Sequence, residues 1–164
     1  MRYRTDRLLI RPWDPVSDIE FVRSLSKEVF APYARDPERL TISMTEEAGS
    51  DTYIAEWDGI PVGFSILSYT PLRRAFGPWK NPVIARLNAI AVLPDLHGGG
   101  IGRNLLTWAQ NTARFRGSTT MTLTTAENNV RARRLFEYAG FHPVTRLFDV
   151  YAGGRPGIIM FKNI

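Results

Sequence analysis

The sequence predicts an α+β fold, and two observations carry that expectation. Stretches rich in β-formers are interleaved with stretches whose apolar residues recur at helical spacing, in the order β-α-α-β-β-β-α-β-α-β-β. One of the helical stretches starts directly after a glycine run, His97-Gly98-Gly99-Gly100-Ile101-Gly102, which itself follows an apolar strand. The chain has 164 residues, 44% of them hydrophobic. That is enough for one core and not evidently for two, so residues 1–164 read as one domain.

Each element has a local reason. Residues 8–12 form a short strand, and residues 14–17 offer caps for a helix running to about residue 29. Residues 31–47 are helical in part, with breaks expected at Pro32 and Pro37. Residues 53–57 and 62–67 make a hairpin through Asp58-Gly59, a pair suited to positive φ. Residues 85–92 are the fourth strand, and residues 101–115 the helix after the glycine run. Residues 119–125, dense in β-branched side chains, are the fifth strand. A further helix opens at Asn129, suited to an N-cap, and closes at Gly140, suited to the C′ position. Within it Ala132, Leu135, Phe136 and Ala139 fall on one face. Residues 144–151 and 158–162 complete the sheet, separated by the turn-formers Gly153, Gly154, Pro156 and Gly157.

Composition removes several classes of function. There are 21 Lys and Arg against 16 Asp and Glu, a net charge of +5, which suits an anionic ligand. The cations are scattered rather than gathered into a stripe, so no specific nucleic-acid partner is expected. The absence of cysteine excludes disulfides, a thiolate nucleophile and a covalent acyl-cysteine intermediate. His97 and His142 are the only histidines, so no metal site built on several histidines is expected. The N-terminal residues Arg2, Arg4, Asp6 and Arg7 lack the apolar stretch of a signal peptide, and no apolar run approaches the ~20 residues of a membrane span. The expectation is a cytoplasmic protein with no membrane partner.

The glycine run is where chemistry enters. A glycine loop between a strand and a helix gathers backbone N–H groups at the positive end of the helix dipole, which favours phosphate. A Walker A loop would end Gly-Lys-Ser/Thr, and this one ends Gly102-Arg103-Asn104. A dinucleotide fingerprint starting at Gly98 would need glycine at Arg103. Instead the run resembles motif A of the GCN5-related N-acetyltransferases, Gln/Arg-x-x-Gly-x-Gly/Ala, with Gly100 and Gly102 in register and His97 in the Gln/Arg position. The block from Asn129 to Phe141 resembles the same family's motif B, Asn-x-x-Ala-x-x-Leu-Tyr-x-x-x-Gly-Phe, with Asn129, Ala132, Leu135, Gly140 and Phe141 matching. Two blocks in this order and separation cover about the central third of the chain.

The resemblance implies a mixed, mostly antiparallel sheet flanked by helices, with splayed fourth and fifth strands. It implies acetyl-CoA as co-substrate, bound by Ile90, Ala91 and Val92 through backbone groups, by His97, Gly98, Gly99, Gly100, Ile101, Gly102 and Arg103, and by Asn129 and Phe136. The implied reaction is direct attack by a primary amine of a small molecule, amino acid or peptide. The side-chain catalysts depart from the family pattern. Asn88 stands where a carboxylate base is common and can at most orient a water. Thr124 stands where relatives that modify ribosomal proteins place a glutamate. Phe136 replaces the thiolate-protonating tyrosine, leaving Tyr138 as the nearby candidate acid. Glu127, Asp149 and Tyr151 lie near strand ends and read as surface groups. A catalytically silent acyl-CoA sensor or structural module of the same fold is the alternative reading. The long connection after Tyr69, with Arg73, Arg74, Phe76, Trp79 and Lys80, is read as one wall of the acceptor cleft, opposite Tyr33 and the 151–157 turn. Its cations would suit an acceptor bearing a carboxylate or phosphate. A solvated basic loop or a homodimer contact is the competing reading of that segment.

Overall fold

A computed structural model describes residues 7–73 and 82–164. Its strands are β1 (Leu8–Pro12), β2 (Asp51–Trp57), β3 (Ile60–Pro71), β4 (Val83–Val92), β5 (Ser118–Ala126), β6 (His142–Tyr151) and β7 (Arg155–Asn163). The helices are α1 (Ile19–Phe30), α2 (Pro37–Thr45), α3 (Ile101–Phe115) and α4 (Val130–Tyr138). All seven strands join one sheet in the order β1-β2-β3-β4-β5-β7-β6. Every neighbouring pair is antiparallel except β4 and β5, which are parallel. The mixed, mostly antiparallel sheet expected from the sequence is therefore present, and the element order is the expected one.

The sheet carries a core on each face. On one, Val22 and Leu25 of α1 pack with Ile54, Phe64, Ile66, Ala89 and Ala91. On the other, Leu106, Ala109 and Ala113 of α3 and Phe136 of α4 pack with Leu67, Ala85, Leu87, Met121 and Leu123. Strand β4 belongs to both cores. A strand alternates its side chains, so positions 85, 87, 89 and 91 would ordinarily share a face. Here Ala85 and Leu87 lie in the α3 core, whereas Ala89 and Ala91 lie in the α1 core. The cause is a β-bulge: Leu67 pairs with Leu87 and Ile66 with Ala89, so Asn88 is an extra residue. One inserted residue reverses the facing of everything after it.

The parallel pairing of β4 with β5 stops at Leu87 and Leu123 among the described residues. Beyond that point β5 continues on β7 alone, with Thr124 opposite Ile159 and Ala126 opposite Gly157. The two central strands thus part just after the bulge, leaving a gap between residues 88–92 and 124–126.

Several boundaries differ from the sequence expectation, each for a local reason. Helix α1 begins at Ile19, because Asp14 uses its carboxylate to accept the N–H groups of Val16 and Ser17 in a turn. Asp18 holds the N-cap position, but its carboxylate is turned to Arg11 at 2.7 and 2.9 Å. That guanidinium holds Asp18 below the usual carboxylate range and also reaches Glu56 at 2.8 Å, tying β1 and β2 to the start of α1. Pro37 starts α2 instead of breaking it, with Asp36 accepting the Arg39 N–H at 3.0 Å. Strand β3 extends to Pro71, so the connection to β4 is shorter than expected. Strand β7 begins at Arg155, which places Pro156 and Gly157 in the strand rather than the turn. A Cβ at Gly157 would stand 3.0 Å from the Tyr151 ring and 3.3 Å from the Thr124 methyl, so this glycine serves close packing. Pro156 faces the irregular stretch of β6 between Leu147 and Tyr151, where a missing N–H costs no ladder bond.

No helix among the described residues is long and apolar enough to cross a membrane.

Candidate active site

The glycine run lies where the chain passes from β4 into α3. After Val92 the chain makes one 3₁₀ turn, Pro94–Leu96, and then passes through Gly98 and Gly100 at φ +83° and +87°. Both values lie in the left-handed region, which L side chains avoid. Gly100 is the N-cap of α3, and the first intrahelical bond runs from the Asn104 N–H to the Gly100 carbonyl at 3.0 Å. The N–H groups of Ile101, Gly102 and Arg103 therefore project from the helix end without intrahelical acceptors. The His97 ring folds back on the strand: its Nε2 lies 2.8 Å from the Val92 carbonyl, which can only accept, so Nε2 carries the proton. In this position His97 ties the loop to the end of β4.

A groove of about 550 Å³ runs past this loop, between the end of β4 and the start of α4. Arg103 and Arg131 stand on its walls. It shares Phe30, Ile90, Asn129 and Ala132 with a narrower cavity of about 140 Å³ that enters the gap between β4 and β5. That inner cavity in turn shares Tyr33, Leu40, Asn88, Thr124 and Tyr151 with an outer pocket of about 760 Å³ at the opposite end. The three thus adjoin in series and are together called the path.

The backbone of β4 faces this path selectively. An antiparallel ladder directs the N–H and C=O of alternate residues to opposite sides. The Val92 carbonyl points away from β3, to His97, while the next residue, Leu93, donates to Val62 of β3 at 2.9 Å. By the same alternation Ile90 turns its N–H and C=O into the gap left by β5, and Ala91 turns its own toward Phe64.

The expected side chains are distributed unevenly. Asn88, on the bulge, donates from Nδ2 to the Ser68 hydroxyl at 2.9 Å and lines the inner cavity. Asn129 caps α4 by accepting the Ala132 N–H at 3.2 Å, and its side chain stands where groove and inner cavity meet. Phe136 is 4% exposed and packs edge-on against Phe141, placing an apolar ring on the inner wall. Thr124 lines the same cavity from β5. Tyr138 is not brought to the path: it is 85% exposed on the outside of α4, with the Arg103 guanidinium 5.4 Å over its ring. Its position two residues after Phe136 turns it to another side of the helix. Glu127 is engaged by Arg146 at 2.7 and 3.0 Å and lines none of the three spaces. Arg73 is exposed beyond the end of β3 and is not among the residues lining them. Arg74, Phe76, Trp79 and Lys80 lie outside the described residues.

Two tyrosines mark the junction of inner and outer spaces. Tyr33 and Tyr151 meet edge to face with centroids 6.0 Å apart. Burial pushes the Tyr151 phenol up to about 12, with Arg86 opposing the shift and Tyr33 adding to it. The segments carrying these rings are strapped together. Arg155 Nη1 donates to the Pro32 carbonyl at 2.6 Å, and the Ala152 N–H donates to the Tyr33 carbonyl at 3.0 Å. Tyr33 lies at this junction, Tyr151 is half-buried here rather than the surface group expected, and Arg35 and Arg86 line the outer pocket without having been expected there. No local pattern marks those two residues. Arg86 reaches the outer pocket because the α3 core holds its neighbours Ala85 and Leu87 on the other face.

The sequence pattern of the Acetyltransferase (GNAT) family matches residues 19–141, and the chain belongs to that family. Among solved structures it is similar to NAA60 of Arabidopsis thaliana in complex with a bisubstrate analogue, with 17% identity, a TM-score of 0.80, and 96% of this chain and 99% of that one covered. It is also similar to the ribosomal-protein-S18-alanine N-acetyltransferase of Escherichia coli, with 23% identity, a TM-score of 0.74 and coverage of 96% and 94%. A third likeness is yncA of Salmonella typhimurium, a putative acetyltransferase with its cofactor acetyl-CoA, with 19% identity, a TM-score of 0.72 and coverage of 96% and 94%. No curated protein sequence matches the chain.

Proposed function

We propose that this protein is an acetyl-CoA-dependent N-acetyltransferase that joins donor and acceptor in one ternary complex. The observation that carries the reading is three adjoining spaces in series: a groove beside the free N–H groups of α3, a gap between strands, and a separate outer pocket. The pyrophosphate rests on the N–H groups of Ile101, Gly102 and Arg103, with Gly98 and Gly100 supplying the left-handed turn and Arg103 and Arg131 adding positive charge. The pantetheine arm lies in the gap, where Ile90 offers the free C=O of its backbone and Asn129 the remaining donors of its amide, which leaves the Ile90 N–H for the thioester. His97 supports the loop without touching phosphate. The whole chain acts as one acetyltransferase domain.

The acceptor amine enters from the outer pocket past Tyr33 and Tyr151. Its nitrogen attacks the thioester carbonyl carbon, the new C–N bond forms, and the C–S bond breaks with the electron pair leaving on sulfur. The Ile90 N–H stabilises the negative charge on the carbonyl oxygen. No carboxylate lines the inner cavity among the described residues, so the amine gives up its proton to water, ordered by the Asn88 Oδ1. Tyr151 supplies the proton for the thiolate. Its phenol remains protonated at neutral pH, as a donor must.

The apolar ring of Phe136 in the inner wall favours a second reading, a donor-binding module without transfer. One experiment separates them. Acetyl-CoA is expected to raise Tm, and amines are expected to release free thiol from it. A raised Tm with no thiol released from any amine would establish the silent module, and no shift in Tm would remove both readings.

A further inference from the structure

The outer pocket contains a cation placed for recognition. Arg86 sits on β4 two residues before the bulge, and its neighbours Ala85 and Leu87 are fully committed to the α3 core. Its side chain therefore stands on the α1–α2 side of the sheet, on the pocket wall with Tyr151. It is close enough to Tyr151 to act on the phenol electrostatically. Among the described residues no carboxylate is paired with Arg86, although the chain pairs many of its other cations. Arg35, on the opposite wall between α1 and α2, is likewise without a carboxylate partner there.

The two carboxylates that line the same pocket are in different circumstances. Asp36 is committed to capping α2 through the Arg39 N–H. Asp149 lies at φ +53° in the irregular stretch of β6, with its Oδ1 2.8 Å from where a Cβ of Gly154 would stand. Neither neutralises the arginines by an ion pair, yet both keep the mouth from being uniformly positive. A mouth with both signs suits an acceptor that carries both signs.

We infer that the acceptor is an amine bearing a carboxylate on the same molecule, with Arg86, supported by Arg35, holding the carboxylate while the amine reaches the gap beside Asn88. This rests on the acetyltransferase reading above. Arg86 and Asn88 are separated by about 7 Å along the strand at ~3.3 Å per residue. An acceptor that spans from Arg86 to the gap has its amine and carboxylate several bonds apart, as in a dipeptide or an ω-amino acid, and the two acceptor pairs below test two such spans. A guanidinium is suited to this task because its planar donors match a carboxylate in pairs.

The test uses the full chain with acetyl-CoA and two matched acceptor pairs: glycylglycine against glycylglycinamide, and 5-aminopentanoate against pentylamine. The expected result is a KM about tenfold lower for the carboxylate member of at least one pair. In Arg86→Gln that preference collapses toward unity, while acetyl-CoA still raises Tm, and Arg35→Gln reduces it about threefold. Arg114→Gln, on the far end of α3, keeps the preference and controls for net charge. Equal KM values within both pairs, or a preference that survives Arg86→Gln, would overturn the inference and leave the acetyltransferase reading standing. Thiol release from no acceptor would instead bring down that reading and the inference with it.

Discussion

The groove end of the path, proposed for the donor, presents backbone N–H groups from Ile101, Gly102 and Arg103, held by left-handed glycines, whereas the outer pocket, proposed for the acceptor, presents the side chains of Tyr33, Arg86 and Tyr151. The first kind of site is insensitive to most side-chain changes and depends on backbone shape. The second can be altered residue by residue without disturbing the first. A fold built this way can keep one donor while changing acceptors, since the two sets of groups share only the narrow gap between β4 and β5.

This contrast can be broken from the donor side with the largest effect. Replacing Gly98 and Gly100 together by alanine forces two L side chains into the left-handed region, at about 1–2 kcal/mol each. We expect kcat/KM for acetyl-CoA to fall about 10³-fold, with the selectivity among acceptors preserved. A change confined to acceptor selectivity would show that the loop is not the donor site. Next in size is Tyr151→Phe, expected to lower kcat about 10²-fold with little change in Tm below pH 10. Loss in acceptor KM alone would assign Tyr151 to binding rather than proton transfer.

The same phenol gives a pH signature. Its value in the fold is raised from 10.0 to about 12, so the protonated form is favoured by folding. The stability it contributes is fully present below pH 10 and is lost as pH rises toward 12. Wild-type Tm should therefore fall more steeply than that of Tyr151→Phe over this interval, and parallel curves would contradict the burial of the phenol. Asn88→Ala, at the meeting of the two halves, should reduce kcat/KM about tenfold, and an unchanged value would remove Asn88 from the proton path. Tyr138→Ala should change kcat/KM less than about twofold, and a large loss would return that residue to the catalytic path.

The same division governs how much could be read from the sequence. The glycine run and the helix after it are local features, and both are found where the spacing puts them: Gly100 at the cap and α3 over Ile101–Phe115. Asn129 and Gly140 likewise mark the ends of α4 as their chemistry predicts. The outer pocket, proposed as the acceptor mouth, is assembled from the α1–α2 connection, α2, β4, β5, β6 and the turn after β6, and no short window contains it. Tyr151 looked like a surface residue because its burial comes from Tyr33 and from the bare backbone of Gly157, both distant in sequence. The face of Arg86 could not be read because the Asn88 bulge is invisible to a period-two pattern. Tyr138 shows the converse: proximity in sequence to Phe136 brought it no nearer to the path.

The bulge also means that β4 has two reading frames joined at one residue. Upstream of Asn88, odd-numbered positions serve the α3 core; downstream, they serve the α1 core. Deleting a single residue there would not shorten the strand harmlessly. It would invert one half against the other, driving either Arg86 into hydrocarbon or Ala89 and Ala91 out of it. Length at this point is thus under the same constraint as chemistry, and the splay, the facing of Arg86 and both cores depend on one insertion remaining in phase.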